Sequence, residues 1–203
     1  MQLGTVKTRY SKKFSYIKDT DEAVHLENYG EYKQKEINLL TLLLRNNVGD
    51  TFIYDVGAGI GTRTVPLSKM AAVIAFEHDK DKLKVLKMNT QGKLAPNVMI
   101  VPKSLETTDP HAKDIPNLDG QLMQLPEPTL ICISGNSTQV LRGMTATMML
   151  IKPVIYIDIA NTEDISYQYS ILVERGYKMY WYSCPGFNLN NFKEKQLNIT
   201  DDS

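Results

Sequence analysis

Residues 54–62 form a glycine-rich turn that follows a strand-like stretch of the chain. The segment reads Tyr-Asp-Val-Gly-Ala-Gly-Ile-Gly-Thr. The preceding residues 51–54 are β-branched and aromatic, as in strands, and residues 64–70 favour a helix because proline is tolerated in a first turn. Glycine lacks a Cβ and adopts positive φ, so backbone N–H groups and the helix N-terminus can approach a ligand closely. The unit is therefore predicted to hold a small ligand.

A second strand-like run, 73–77, also ends in an acid, Glu77. The ends of adjacent parallel strands lie side by side, so Glu77 is expected beside the glycine turn, where its carboxylate can accept both hydroxyls of a ribose. The alternative is an ordinary acid that caps the following helix, predicted over 79–89. Negative charge at a helix N-terminus is favourable in either role.

Composition restricts the classes of protein to which the chain can belong. Its 203 residues, of which 42% are hydrophobic, are enough for one domain with its own core. The 23 basic and 23 acidic residues cancel, which argues against a general nucleic-acid or membrane surface. No signal-like segment or apolar run of about 18 residues occurs, so a cytosolic location is expected. Two cysteines, Cys132 and Cys184, and three scattered histidines predict no metal site.

Strand and helix patterns alternate along most of the chain. Helices are predicted at 31–45, 79–89, 138–149 and 166–175, and strands at 51–55, 73–77, 98–101, 129–133 and 154–159. This alternation predicts a Rossmann-like, doubly wound α/β fold with a mostly parallel sheet. Near the end, the strand-like segments 177–182 and 197–199 are joined by a short loop. They predict an antiparallel C-terminal hairpin, and thus seven strands in all.

Two segments fall outside this alternation. Residues 1–28 are polar and mixed, with the aromatic anchors Tyr10, Phe14 and Tyr16, and are predicted to be an N-terminal extension or cap on a main domain of residues 29–203. Residues 104–128 contain four prolines and are predicted to form a loop that overhangs the site.

Asp55 makes the glycine turn more specific. Nicotinamide-binding turns usually have an apolar residue at this strand end, whereas turns that bind S-adenosylmethionine (SAM) have an acid. Together with Glu77 and the predicted hairpin, the turn resembles that of class I SAM-dependent methyltransferases. A nicotinamide-dependent oxidoreductase is the alternative, and Asp55 counts against it.

The chain more closely resembles the FkbM-type methyltransferases, over residues 28–195. The segments that carry the resemblance, with the family patterns in parentheses, are 29–32 with Glu36 (GEY…E), 55–61 (DVGANIG), 73–77 (VIAFEP), 140–143 with 152–158 (VLxG…xPVIxxE), and 176–181 with 190–192 (GYxLYW…NNF). Gly59 stands in place of the family's asparagine, and His78 in place of its proline.

The resemblance implies a SAM-dependent O-methyltransferase that acts on a hydroxyl of a small molecule or sugar. It implies the following cofactor-binding residues: Glu36, Asp55, Gly57, Ala58, Gly59, Gly61, Thr62, Glu77, His78, Ser104, Leu105 and Ser134. Asp158 ends the fifth strand and matches the family's acid there. It is the candidate to hold or deprotonate the acceptor hydroxyl.

Most of these residues also have a purely structural interpretation. The glycine turn can serve packing alone, and Ser104 and Leu105 can simply end a strand. Glu36, like Glu31, can be an exposed helix acid. Serine and asparagine are common N-caps, and capping is the leading interpretation for residues 134–137.

The fourth strand departs from the family pattern. The family has KIDVEGxE here, and an ungapped alignment puts Cys132 at its Asp, Ser134 and Gly135 at its Glu-Gly, and Ser137 at its last Glu. Three acids are thus absent. This motivates a further alternative, a protein that binds SAM or S-adenosylhomocysteine (SAH) without transferring a methyl group. The oligomeric state is left open.

Overall fold

A computed structural model describes residues 1–45, 50–92, 95–105, 117–122, 124–159 and 164–199. In chain order the elements are β1 (Leu3–Val6), β2 (Phe14–Ile17), α1 (Asp21–Tyr29), α2 (Gln34–Leu44), β3 (Phe52–Val56), α3 (Thr64–Leu67), β4 (Ala72–Phe76), α4 (Lys80–Thr90), β5 (Val98–Val101), α5 (Leu118–Gln121), β6 (Leu130–Ile133), α6 (Ser137–Arg142), a π-helical turn (Thr147–Ile151), β7 (Val154–Ile157) and α7 (Ile165–Glu174).

Five strands form a parallel sheet in the order β5-β4-β3-β6-β7. The chain starts in the centre at β3, runs outward to β5, and then crosses to β6 on the other side of β3. Ligands of such sheets bind outside the carboxyl ends of the strands, at the point where the strand order reverses. The predicted parallel α/β architecture is confirmed, and it puts this point directly at the glycine turn.

Both faces of the sheet are covered, because the side chains of its central strands are apolar on both faces, with the exception of Asp55. Tyr54 and Phe76 pack in the large cluster beneath α6 and α7, whereas Ile53 and Cys132 face the opposite side with α2 and α3. Asp55 alternates with Tyr54 along β3 and pairs in register with Cys132. A carboxylate is therefore buried on the α2 side of the sheet.

The predicted seven strands and C-terminal hairpin are matched only in part. The structure assigns no strand to residues 177–182 or 197–199, and among the described residues the antiparallel pair is β1 with β2, near the other terminus. The tail bonds to residues near α1 instead. The Lys193 N–H donates to the Tyr29 carbonyl at 3.2 Å, and the Ile199 N–H to the Tyr29 hydroxyl at 2.8 Å. The Ile199 contact uses a backbone N–H of the predicted strand 197–199.

One predicted helix is interrupted, and another contacts the N-terminal hairpin. The helix predicted over 138–149 is interrupted: α6 ends at Gly143, where a Cβ would lie 2.9 Å from the Asn117 Cβ, and a π-helical turn follows. In α4 the buried residues include Val85 and Asn89, whereas Met88 is exposed. The Asn89 amide bonds to Ser15 of β2, so the N-terminal hairpin determines which face of α4 is buried.

Residues 1–28 pack closely on the rest of the chain. Phe14 and Leu26 share a buried cluster with Ile60 of the glycine turn and with Val65. The segment contains a helix, α1, that the sequence patterns do not predict. The Thr20 hydroxyl caps it by accepting the Ala23 N–H at 3.2 Å.

Of the predicted 104–128 loop, residues 106–116 and 123 lie outside the described residues, and residues 118–121 form α5. None of the helices in the described ranges has the length and apolar character required to cross a bilayer.

Candidate functional site

The glycine turn is fixed between the ends of β4 and β6. The N–H groups of Gly57 and Ala58 both donate to the Phe76 carbonyl at 3.0 Å. Gly57 has a φ of +73°, and a Cβ there would lie 2.6 Å from the Ser134 carbonyl oxygen. Glycine is therefore required at this position by both conformation and close approach.

Glu77 projects its carboxylate against the same turn. Its Oε2 accepts the Gly59 N–H at 2.8 Å, and its Oε1 accepts the N–H groups of His78 and Asp79, each at 2.8 Å. The side chain is buried, but a carboxylate offers about four lone-pair sites, so it retains capacity for a further donor. Asp79, not Glu77, is the N-cap of α4. Three of these lone-pair sites are filled by the N–H groups of Gly59, His78 and Asp79, so about one remains, on Oε2, which can accept one hydroxyl of a ligand.

Two cavities adjoin at the turn and share Gly57, Lys82 and Ser134 in their linings. The first, the Glu77 cavity, measures about 270 Å³ and is also lined by Val56, Phe76, Glu77, His78, Asp79, Lys103, Ser104, Leu105 and Gly135. The second, the charged cavity, measures about 200 Å³ and is also lined by Glu22, Tyr32, Lys33, Glu36, Ile37, Ala58, Gly59, Thr62, Arg63 and Asp158. Together they approach the size of a small-molecule site.

These linings bring together all the predicted site residues except Asp55 and Gly61. Gly61 is buried beneath the turn, where a Cβ would lie 2.9 Å from Leu86 Cδ1. His78 lies at the rim, with its side chain exposed. The predicted overhanging loop begins with Ser104 and Leu105, and both residues line the Glu77 cavity. Leu105 is buried and forms an apolar wall of this cavity.

Asp55 lies below the cleft in a buried ion-pair network. Its Oδ1 accepts Arg63 Nε at 2.8 Å and Nη2 at 2.6 Å, and its Oδ2 accepts the Thr64 hydroxyl at 2.6 Å. Arg63 Nη1 also donates to Glu36 Oε1 at 3.1 Å. Burial raises the pKa of Glu36, and Arg63 acts in the opposite direction. This network ties β3 and α2 to the residues that begin α3.

Asp158 lies at the carboxyl end of β7, on the side of the charged cavity away from Glu77. Its N–H donates to the Ile133 carbonyl at 2.9 Å, and its Oδ2 accepts Lys33 Nζ at 2.6 Å. About a third of each of these two side chains is exposed. Lys33 has a φ of +46°, which is uncommon for a non-glycine residue, and it precedes α2.

The residues that replace the family's acids have structural partners. Cys132 is fully buried, and burial raises the pKa of its thiol. Ser137 accepts Gln168 Nε2 at 2.9 Å, and Asn136 caps α6 by accepting the Gln139 N–H at 3.3 Å. The capping interpretation is confirmed for Asn136. Within residues 132–137, Ser134 and Gly135 contribute to the cleft lining.

Sequence reasoning missed five charged or aromatic residues that line the charged cavity, namely Glu22, Tyr32, Lys33, Arg63 and Lys82. A signal for Glu22 was present, because Thr20 followed by two acids is a helix N-terminus pattern. The buried Asp55 likewise required a cationic partner nearby. In the described residues no group of three His, Cys, Asp or Glu side chains is arranged to hold a metal ion.

Comparison with solved structures identifies the same fold elsewhere. The precorrin-6Y C5,15-methyltransferase of Geobacter metallireducens GS-15 matches with a TM-score of 0.54 and 18% identity, over 71% of this chain and 72% of that chain. The precorrin 8W decarboxylase of Methanobacterium thermoautotrophicum matches with a TM-score of 0.52 and 18% identity, over 70% and 72%. The chain therefore has the Rossmann-like α/β fold found in methyltransferases.

A lower-scoring match is the magnesium protoporphyrin IX methyltransferase of Synechocystis PCC 6803, solved with bound SAM, with a TM-score of 0.49 and 14% identity over 73% of this chain and 70% of that chain. The fold assignment rests on the two matches above. No protein-family model matches the chain, and no curated protein sequence matches it.

Proposed function

We propose that this chain is an FkbM-type methyltransferase that uses SAM to methylate a hydroxyl of a small molecule or sugar. The observation that carries the proposal is the position of Glu77. Three backbone N–H groups orient its carboxylate at the end of β4, beside the glycine turn and at the reversal of strand order. This is where the ribose of a bound nucleoside would lie.

The two cavities suit the two halves of SAM. In the proposed arrangement Glu77 accepts a ribose hydroxyl, and the adenine lies near Ser104 against the apolar wall of Leu105. The charged cavity on the other side of Gly57 suits the zwitterionic amino-acid part, because three acids and three bases line it. The fit supports a nucleoside joined to a charged chain.

When bound, SAM supplies an activated methyl group. The task of the chain is then to position an acceptor and to take its proton. We assign the proton to Asp158, whose carboxylate lies in the charged cavity within hydrogen-bond reach of Lys33. Lys33 orients this carboxylate and keeps a cation beside it. An acceptor hydroxyl would approach Asp158 from the solvent-exposed side of its ion pair with Lys33.

A second candidate function is SAM or SAH binding without methyl transfer. The Lys33 ammonium already occupies one oxygen of Asp158, and neutral residues stand at positions 132, 134 and 137, where the family has acids. Fewer carboxylates are thus available to an acceptor. This candidate predicts nucleoside binding and no methylated product.

Calorimetry with SAM, SAH and NAD separates these proposals from an oxidoreductase. We expect micromolar binding of SAM and SAH and none of NAD. Gly59→Leu, Asp55→Ala and Glu77→Ala should each abolish binding of SAM, and retained micromolar binding in all three variants would refute the site. A single methylated product from a panel of hydroxylated acceptors would end the second candidate.

Three further expectations complete the proposal. We propose a cytosolic location and an acceptor that is not a nucleic acid, which the zero formal charge of the chain supports. We also propose residues 29–203 as the methyltransferase-like domain, with residues 1–28 as its cap. The burial of Phe14 and Leu26 against that domain supports a cap.

A further inference from the structure

Six charged side chains line the charged cavity, and four of them form ion pairs with one another. Arg63 pairs with Glu36 at 3.1 Å, and Lys33 pairs with Asp158 at 2.6 Å. Glu22 and Lys82 remain. Neither forms an ion pair within 4.0 Å among the residues that the structure describes. The lining thus presents one acid and one base that a ligand can engage.

Glu22 is the less solvated of these two groups. It lies in the first turn of α1, and its carboxylate makes one side-chain hydrogen bond in the described part of the chain, a long one of 3.5 Å with the Thr62 hydroxyl. Its Oε1 lies 3.9 Å from where a Cβ of Gly59 would stand. The Glu22 carboxylate therefore faces the glycine turn directly.

The electrostatics of Glu22 favour a cation beside its carboxylate. Burial raises the pKa of this carboxyl, while Lys82 and the Thr62 hydroxyl act in the opposite direction, as does the more weakly interacting Lys33. Asp21, its neighbour on α1, adds to the rise. A carboxylate that is withdrawn from water is costly unless a cation pairs with it. No side chain described here supplies that cation within ion-pair distance.

We propose that Glu22 binds the α-ammonium of the methyl donor, so that the N-terminal cap forms part of the cofactor site. This inference rests on the proposed function. A nucleoside beside Glu77 would direct its amino-acid chain past Gly59, where the Glu22 carboxylate lies. Donation from an ammonium to a carboxylate is a strong, charge-assisted hydrogen bond.

The α-ammonium suits Glu22 better than the sulfonium does. A carboxylate held against the sulfonium would itself be a nucleophile toward the methyl group, in competition with the acceptor. Asp158, which we assign to the acceptor, projects from the end of β7, whereas Glu22 belongs to the cap and contacts the turn at Thr62. The two carboxylates can therefore serve different molecules, Asp158 the acceptor and Glu22 the methyl donor.

Calorimetry with three ligands tests the assignment. SAH carries the α-ammonium but no sulfonium, methylthioadenosine lacks the whole amino-acid chain, and SAM carries both cations. Glu22→Gln keeps the shape of the side chain and removes its charge. Asp21→Asn is the matched control, because Asp21 is an exposed acid in the same helical turn.

We expect Glu22→Gln to weaken SAH binding by about tenfold or more, the cost of a charge-assisted hydrogen bond. Methylthioadenosine binding should stay within about twofold of wild type, and Asp21→Asn should change neither. If Glu22→Gln leaves SAH binding intact, weakens SAM alone, or weakens SAH and methylthioadenosine equally, the ammonium assignment is wrong. If the wild-type chain binds none of the three ligands, the proposed function itself fails.

Discussion

The Arg63 guanidinium donates two hydrogen bonds to a single oxygen of Asp55, from Nε at 2.8 Å and from Nη2 at 2.6 Å. Asp55 is completely buried, and Arg63 is nearly so. Asp55 is the acid that makes the glycine turn resemble a SAM-binding turn. In this structure it lies below the cleft and is bonded to Arg63. Its interactions in this structure hold the turn in place.

We expect Asp55→Asn to lower the free energy of unfolding by about 3–5 kcal/mol, because it leaves a buried guanidinium with Glu36 as its only acidic partner in the described network. Urea unfolding at neutral pH measures this. Asp158→Asn is the control: it breaks the half-exposed pair with Lys33, and should cost no more than about 1 kcal/mol. A small loss for Asp55→Asn together with complete loss of SAH binding would show that Asp55 is a direct ligand.

Gly57→Ala tests the close approach of the turn to β6. The new Cβ would meet the Ser134 carbonyl oxygen at 2.6 Å, in addition to the strain of a positive φ. Gly176→Ala separates the two effects, since Gly176 has a φ of +82° but no atom within 4 Å of its Cβ position. We expect a stability loss of about 1–2 kcal/mol for Gly176→Ala and a larger one for Gly57→Ala. Equal losses in chemical denaturation would contradict the close contact.

Glu77→Gln tests the nucleoside half of the site. An amide nitrogen cannot accept the N–H groups that Glu77 now accepts, nor a ribose hydroxyl proton. SAH and methylthioadenosine should therefore both bind at least about tenfold more weakly. Asp81→Asn, at an exposed acid in α4, is the control and should bind both ligands normally. Selective loss of SAH would mean that Glu77 acts on the amino-acid part instead.

Asp158→Asn tests the proposed base. With any acceptor that yields a product, we expect kcat to fall by about 10²–10⁴-fold, because a positioned base no longer takes the hydroxyl proton. SAH affinity should remain within about twofold, since the substitution leaves Glu77 and Glu22 unchanged. Undiminished turnover would remove Asp158 from the reaction.

The stability of the ligand-free chain should report the cost of burying Glu22. Its pKa is raised in the folded state by burial, so its contribution to stability is fully present below the unfolded pKa and is lost as pH rises through the folded pKa. At pH 7 we expect Glu22→Gln to raise Tm, by about 2–4 °C for each kcal/mol of cost removed.

This gain from Glu22→Gln should shrink as pH falls and vanish below about pH 4, where wild-type Glu22 is protonated whether folded or unfolded. Asp21→Asn controls for the loss of an acid from the first turn of α1. A Tm gain that does not depend on pH would rule out the ionisation of Glu22 as its source.

The core of the fold was predictable because its signals are local. Gly57 and Gly59, the apolar runs of β3 and β4, and the acid at Glu77 lie within a short segment whose periodicity specifies a strand, a turn and a helix. Local patterns also predicted a strand at 177–182, to which the structure assigns none. Tyr180 and Trp181 have strand-forming side chains, but they are 85% and 72% exposed, and the tail beyond them bonds to Glu31 and Tyr29 instead.

The charged half of the site depends on tertiary contacts that no local pattern reveals. Glu22 reaches Thr62 across 40 residues, and Lys33 reaches Asp158 across 125. Asp158 and Thr62 lie in segments that the sequence analysis singles out, but nothing in the sequence pairs them with Lys33 and Glu22. Their roles depend on how the N-terminal cap and the start of α2 pack over the ends of the strands. The hydrophobic burial of Phe14 and Leu26 holds the cap in this position.

The central claim is that the cleft at the end of β3 and β4 binds the methyl donor. Isothermal titration of the intact chain with SAH, beside NAD as the comparison ligand, tests this most directly. We expect micromolar, one-to-one binding of SAH that Glu77→Gln weakens, and no binding of NAD. Binding of NAD without SAH, or SAH binding that is unaffected by Glu77→Gln, would contradict it.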